Sequence, residues 1–184
     1  MTRYSYPHTI DNGSGERLIF LRRVSSADGE RLEVENVVQP GAGPPMHVHH
    51  LQEEALTVQQ GRIGYQRPGQ PAQYGGPGDT VAFAAGDAHR FWNAGDDELR
   101  CTGHIAPPGN VEYLLTELYA SVRRTGKGRP DPFDIAFLMS RYRSEFGMTE
   151  MPAAVQSILF PVLLTIGRLM GRYRRYADAP EAVG

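Results

Sequence analysis

The sequence predicts a mainly β protein, a small antiparallel barrel or sandwich, followed by an α-helical C-terminal extension. Three observations carry this reading. From Glu16 to about Ile105, short apolar runs are broken every few residues by Gly, Pro, Asp and Asn, the texture of many short strands. Arg31-Leu32-Glu33-Val34-Glu35-Asn36-Val37-Val38 opens with a period of two, as a half-buried strand requires when successive side chains point to opposite faces. After Pro107-Pro108-Gly109 the apolar spacing lengthens to three and four residues, the period of a helix.

The elements follow in order. Residues 17–23 form one apolar run, 26–30 a turn, and 31–38 a strand that Pro40-Gly41-Ala42-Gly43-Pro44-Pro45 stops. Further strands are expected at 54–60, 62–67, 80–84, 89–93 and 99–105. Asn110 is expected to cap a helix with Val111, Leu114, Leu115, Leu118 and Val122 on one face. Gly126-Lys127-Gly128-Arg129-Pro130 reads as a linker. Asp131 as N-cap and Pro132 in the first turn open a second helix that Gly147 can close. A third helix should start near Thr149 and run toward Arg175, kinked at Pro161. The chain thus divides into a β-barrel at 1–108 and an extension of about three helices at 109–184, packed on the barrel or on a second subunit.

Bulk properties narrow the function classes. A length of 184 residues, 40% of them hydrophobic and 22% charged, fits one globular domain with an appendage. A formal net charge of −2 argues against a nucleic-acid partner, which calls for a basic face. The charge is unevenly spread: residues 1–122 hold 9 Arg against 15 Asp and Glu, while residues 123–184 hold 10 Lys and Arg against 6. Mutual docking of an acidic front and a basic back is the preferred reading, ahead of a basic tail for an anionic surface. Cys101, the single cysteine, excludes an intramolecular disulfide, suits a reducing compartment and reads as an inert strand thiol. The N-terminal segment has no secretory pattern, so a cytoplasmic location is expected.

The chemistry is concentrated in MHVHHLQEEALTV, residues 46–58, which contains three of the six histidines and two adjacent carboxylates. In a strand, His47 and His49 share one face across Val48. The next strand, opened by Glu54, is expected to return antiparallel beside them. A second two-strand unit, turning at Gly86, delivers His89 to the same centre from the opposite wall. Neutral imidazoles with one carboxylate suit a first-row transition ion.

These stretches read Gly41-x5-His47-x-His49-x4-Glu54-x6-Gly61 and Gly78-x5-Ala84-x-Gly86-x2-His89-x3-Asn93. In that order and at that separation they resemble the two conserved motifs of the cupin superfamily, over roughly residues 30–106. The resemblance implies a jelly-roll β-barrel in which His47, His49, Glu54 and His89 bind one divalent metal. Ala84 stands where the second motif usually has proline, a turn position that does not ligate. Glu53 competes with Glu54, but the six residues to Gly61 select Glu54 and put Glu53 on the other face. His50 is out of parity and reads as a loop residue, His104 as structural, and His8 carries no signal.

Four protein ligands leave two octahedral positions open, so the ion can serve chemistry; iron or manganese is favoured, with zinc, nickel and copper as alternatives. The expected function is a dioxygenase-like oxidoreductase acting on a small apolar or aromatic molecule, with Glu54 both ligating and accepting a proton. Leu56, Val58, Phe91 and either Tyr65 or Phe83 would line its interior. The alternative is a non-enzymatic binding module in which the metal holds a ligand or stabilises the barrel.

The tail poses a separate question. Residues 151–167 are seventeen residues without charge, followed by Arg168, Arg172, Arg174 and Arg175. That is short of the ~20 residues of a bilayer span. Interfacial contact of residues 151–175 is the weaker alternative to burial on the barrel, on the other helices or in a homodimer. Tyr113, Tyr119, Phe133, Phe137, Tyr142 and Phe146 are expected to be helix-packing aromatics.

Overall fold

A computed structural model describes residues 3–27 and 29–183. Its strands are β1 His8–Asp11, β2 Glu16–Ser26, β3 Gly29–Val38, β4 His47–His49, β5 Glu53–Gln60, β6 Ile63–Gln66, β7 Gln73–Gly75, β8 Thr80–Phe83, β9 Ala88–Asn93 and β10 Leu99–Ala106. Helices α1 Val111–Thr125 and α2 Pro132–Arg141 come next, then a short strand β11 Phe146–Met148, helix α3 Ala153–Leu169 and a 3₁₀ turn at Arg172–Tyr176. The expected strands are present. β1, β7 and β11 are additional, too short or too polar to show a period. The turn expected at 26–30 contains Asp28, which lies outside the described residues.

Two antiparallel sheets face each other as a jelly roll. The larger runs β1-β2-β3-β10-β5-β8 and the smaller β11-β4-β9-β6-β7. Directly opposed residues on neighbouring strands share a face, and the register gives the larger sheet one inward row. Ile10 lies opposite Leu18, Leu18 opposite Asn36, Phe20 opposite Val34, Leu32 opposite Ile105, Cys101 opposite Val58, and Glu54 opposite Phe83.

That row is covered in two halves. Val38, Leu56, Val58, Val81, Phe83, Leu99 and Cys101 pack with Ile63 and Phe91 of the smaller sheet. Ile10, Leu18, Phe20, Leu32, Val34 and Ile105 pack instead with Val111, Leu114, Ala136, Leu138, Tyr142 and Phe146. Helices therefore continue the layer where the smaller sheet stops. Docking of the extension is mainly apolar. The basic residues of the back pair with its own acids, as in Arg124–Asp134 and Arg172–Asp131. Among the described residues, the ion pair Arg3–Asp178 is the one that joins an arginine of the front to an acid of the back.

Three local expectations need correction. Asn110 precedes α1 but makes no capping bond; its side-chain amide donates to Glu145 Oε1 and to the Glu181 carbonyl instead. Asp131 does cap α2, accepting from Phe133 N at 2.8 Å. Gly147 does not close α2, which ends at Arg141; it sits in β11, paired with Val48. Phe146 accordingly packs from a strand, not from a helix. The third helix begins at Ala153 and ends at Leu169, with Gly171 in a left-handed conformation before the 3₁₀ turn. No helix among the described residues is long and apolar enough to cross a membrane.

Candidate metal centre

The four predicted side chains do come together. The ligand atoms of His47, His49, Glu54 and His89 all lie within 4.8 Å of one another, as a group that could hold a metal ion. The walls they come from differ from the expectation. β4 pairs with β9, His47 directly opposite His89, so the three histidines share the smaller sheet. Glu54 comes from the facing larger sheet, between β10 and β8. The chain crosses the barrel at 50–52 because that corner is tied outward. His50 N donates to the Glu145 carbonyl at 2.7 Å, and Gln52 is buried beneath Gly109 and Glu145. A hairpin return beside β4 is thereby blocked.

The second corner follows its residue types. Asp87 N donates to the Ala84 carbonyl at 3.0 Å, and Gly86 takes φ +87°, the positive angle this turn demands at its third residue. Gly86 N also donates to the His49 carbonyl at 2.7 Å, tying the turn to β4. Ala84 in place of proline keeps an N–H, which donates to Asp87 Oδ2 at 3.3 Å.

Ring orientation is fixed by backbone acceptors. His47 Nδ1 lies 2.8 Å from the Pro45 carbonyl and His89 Nδ1 2.9 Å from the Asp87 carbonyl. Each Nδ1–H donates there, leaving the Nε2 lone pair free. His89 Nε2 stands 3.0 Å from Glu54 Oε2, so a lone pair faces a carboxylate oxygen, an arrangement that a cation satisfies. His49 Nδ1 is buried and has no hydrogen-bond partner among the described residues. These donors fit a divalent ion.

The electrostatics agree. Burial pushes the His47 imidazole below its ordinary range, with His89 adding to the effect. It pushes His49 down to about 3, against the pull of Glu54. Burial alone would raise the Glu54 carboxyl, but His89 Nε2, which donates to it whenever that nitrogen carries a proton, and the surrounding imidazoles bring it to about 2. Neutral imidazole and ionised carboxylate are the protonation states that metal ligation needs. Burial, with the Glu54 charge, raises the Cys101 thiol to about 12, so it stays protonated and inert.

Aromatic rings brace the histidines. Phe83 stacks on His89 with centroids 3.8 Å apart and planes 4° from parallel. Phe146 meets His49 edge-on at 5.2 Å. His49, Glu54 and His89 are buried while His47 is partly open, so solvent reaches the group past His47. Glu53 points outward, 3.2 Å from His104 Nε2, and His50 is an exposed bend residue. Leu56, Val58, Phe83 and Phe91 line the interior, with Tyr65 packed against them. His8 joins β1 to α1 through Glu112 Oε1 at 3.1 Å. Phe146, Gln52 and Glu145 have no sequence signal for their supporting roles, because the contacts span about a hundred residues of chain or arise at an irregular corner.

A two-sheet barrel with a three-His, one-Glu group inside defines a class of metal-site β-barrels. Residues 34–104 match the model of the Cupin domain family, which makes the barrel a cupin domain. The chain is similar to a probable oxidoreductase, virH, of Hypocrea virens, with 26% identity over 120 residues. That match covers 64% of this chain but only 47% of the relative's length. Among solved structures, it resembles an uncharacterized conserved protein with a double-stranded β-helix domain from Klebsiella pneumoniae, with 20% identity, TM-score 0.43, and coverage of 58% of this chain and 83% of that one. It also resembles KdgF from a Halomonas species, with 17% identity, TM-score 0.45, and coverage of 53% and 86%.

Proposed function

We propose that this protein is a metal-dependent oxidoreductase of the dioxygenase type, acting on a small apolar or aromatic molecule. His47, His49, Glu54 and His89 hold one divalent transition ion, iron or manganese in preference to zinc, nickel or copper. The observation that carries the reading is the convergence of three imidazoles and one carboxylate, from two facing sheets, within 4.8 Å. An ion held there would supply Lewis-acid or one-electron redox chemistry. The relative named as a probable oxidoreductase supports the same direction.

The chain's own residues have definite tasks in this scheme. The Pro45 and Asp87 carbonyls orient the His47 and His89 rings, and Phe83 and Phe146 keep His89 and His49 from swinging. Leu56, Val58, Phe83 and Phe91 exclude water behind the ligands. Glu54, ionised at neutral pH, accepts a proton from a bound enol or phenol. A small neutral ligand suits this wall; nucleic acid does not suit a chain of net charge −2. We place the protein in the cytoplasm because its one thiol is unpaired. Residues 1–108 then form the barrel and 109–184 the helical extension packed on it.

A second reading is a non-enzymatic binding module with a structural or ligand-holding ion. It is favoured by the interior packing, where Leu56, Val58, Phe83 and Cys101 are each at most 1% exposed, leaving little room behind the ligands. Metal analysis of the protein purified without chelator, beside a His47→Ala, His89→Ala double variant, tests the site. About one equivalent of iron or manganese, absent from the variant, is expected. Oxygen uptake with a panel of phenols and diketones then separates the two readings. Metal binding without uptake across the panel would sink the dioxygenase reading and leave the binding module.

A further inference from the structure

Helix α3 buries one side and leaves another bare. Phe160 and Gly167 face the protein, whereas Val155, Ile158, Leu159, Val162, Ile166, Leu169 and Met170 are exposed, Ile158 at 72% and Leu169 at 85%. Val155, Leu159, Val162, Ile166 and Leu169 recur at intervals of four, three, four and three residues. That is the seam spacing by which one helix packs against another. At these exposures the seven side chains present roughly 700 Å² of apolar surface, above the ~300–600 Å² of the largest patch on an ordinary monomer. It approaches the ~800 Å² that each partner contributes to a standard interface.

We propose that this face pairs with the same face of a second copy of the chain, the two α3 helices running antiparallel about a two-fold axis at Val162. A two-fold interface requires a self-complementary surface, and a seam centred on Val162 sets Val155 of one copy against Leu169 of the other. Charge selects the direction. The exposed Arg168 lies in the last turn of α3, the exposed Arg174 and Arg175 follow in the 3₁₀ turn, with Arg175 facing Asp134, and the exposed Glu150 precedes the helix. An antiparallel pair brings the basic end to the acidic end, while a parallel pair would set the two basic ends together. Charge also selects a protein over a lipid surface. A helix lying on a membrane carries Lys and Arg along its polar face, and α3 has no charged residue before Arg168.

The test uses the full chain. Sedimentation of the wild type should give twice the chain mass at micromolar concentration. Ile158→Glu with Leu169→Glu should raise the dimer Kd at least ~100-fold, since it buries unpaired carboxylates in the contact face, with the circular dichroism spectrum unchanged. Cys101 is buried, so engineered thiols report cleanly. Val162→Cys should cross-link to itself with a short bis-maleimide, and Val155→Cys should not. Val155→Cys combined with Leu169→Cys should cross-link between copies. A monomeric wild type overturns the proposal, as does a dimer indifferent to the two glutamates. Self-cross-linking of Val155→Cys overturns the antiparallel arrangement. A monomer that sediments with phosphatidylserine vesicles assigns the face to lipid and overturns it as well.

Discussion

Phe146→Ala tests whether the helical extension holds the metal site or merely covers the barrel. Phe146 is 6% exposed, sits in β11 opposite His49, and meets the His49 ring edge-on at 5.2 Å. Truncating a buried phenylalanine typically removes about 3–5 kcal/mol; the short edge strand should relax, so about 3 kcal/mol is expected. The informative effect is on metal affinity. Removing a group that orients a metal-bound histidine weakens binding by roughly 10–100-fold, or about 1.4–2.8 kcal/mol.

The control is Phe160→Ala, in the same apolar cluster but on α3, away from the histidines. It should lose comparable stability and leave metal affinity unchanged. Urea unfolding of the metal-free proteins gives the first quantity, and competition against a chromophoric chelator the second. If Phe146→Ala is destabilised like Phe160→Ala yet binds metal as tightly as wild type, β11 is packing and does not position His49.

The remaining predictions concern the site's charge, its turn and the extension. Glu54→Gln keeps the volume but removes the one anionic ligand, so affinity for a divalent ion should fall by at least ~100-fold in the same competition assay, with the fold retained by circular dichroism. Gly86→Ala places a side chain at φ +87° where nothing lies within 4 Å of the new Cβ. Its cost should therefore be backbone strain alone, about 1–2 kcal/mol in urea unfolding, and a neutral outcome would show the turn to be soft. Burial would raise the Asp134 carboxyl, but hydrogen bonds from Ser121 Oγ and Arg124 pull it below its ordinary value. A lowered folded-state pKa contributes stability above the unfolded value of 3.8 that is lost as pH falls through the folded value. Asp134→Asn should accordingly be less stable than wild type at pH 7 by about 1.5–3 kcal/mol, and thermal melts should show that gap closing below pH 4.

The convergence of His47, His49, Glu54 and His89 was legible through strand parity and through the two motifs that resemble the cupin pattern. His47 and His49 share a face by period two, Gly61 picks Glu54 over Glu53, and Gly86 announces the turn before His89. The walls of the site were not legible. Nothing within residues 46–58 says that the corner at 50–52 crosses the barrel; that depends on Glu145, nearly a hundred residues on, whose carbonyl accepts from His50 N. Similarly, Gly147 in Phe146-Gly147-Met148 reads as a helix stop by residue type. The structure uses its missing side chain for close approach, since a Cβ there would fall 2.9 Å from Val48 Cγ1. Short strands carry too few residues to show a period, and their identity is set by the partner that claims them.

That partner explains why a barrel of this kind carries an extension. β4 holds two of the four candidate ligands yet spans three residues, and β9 pairs with only two of them, His47 and Val48. A strand so short, left at a sheet edge, would fray and expose its ladder. β11 pairs with all three residues of β4, and the segment leading into it is anchored from behind. Glu145 accepts from Asn110 N at 2.8 Å, from the Asn110 side chain at 2.6 Å and from Val183 N at 2.9 Å. Glu145 thus binds the start of α1 and the C-terminal segment through its buried carboxylate and the corner after β4 through its carbonyl, joining the three into a single brace. The extension reaches the group through backbone pairing and one aromatic ring, and the placement of His47 and His49 depends on residues outside the four that converge.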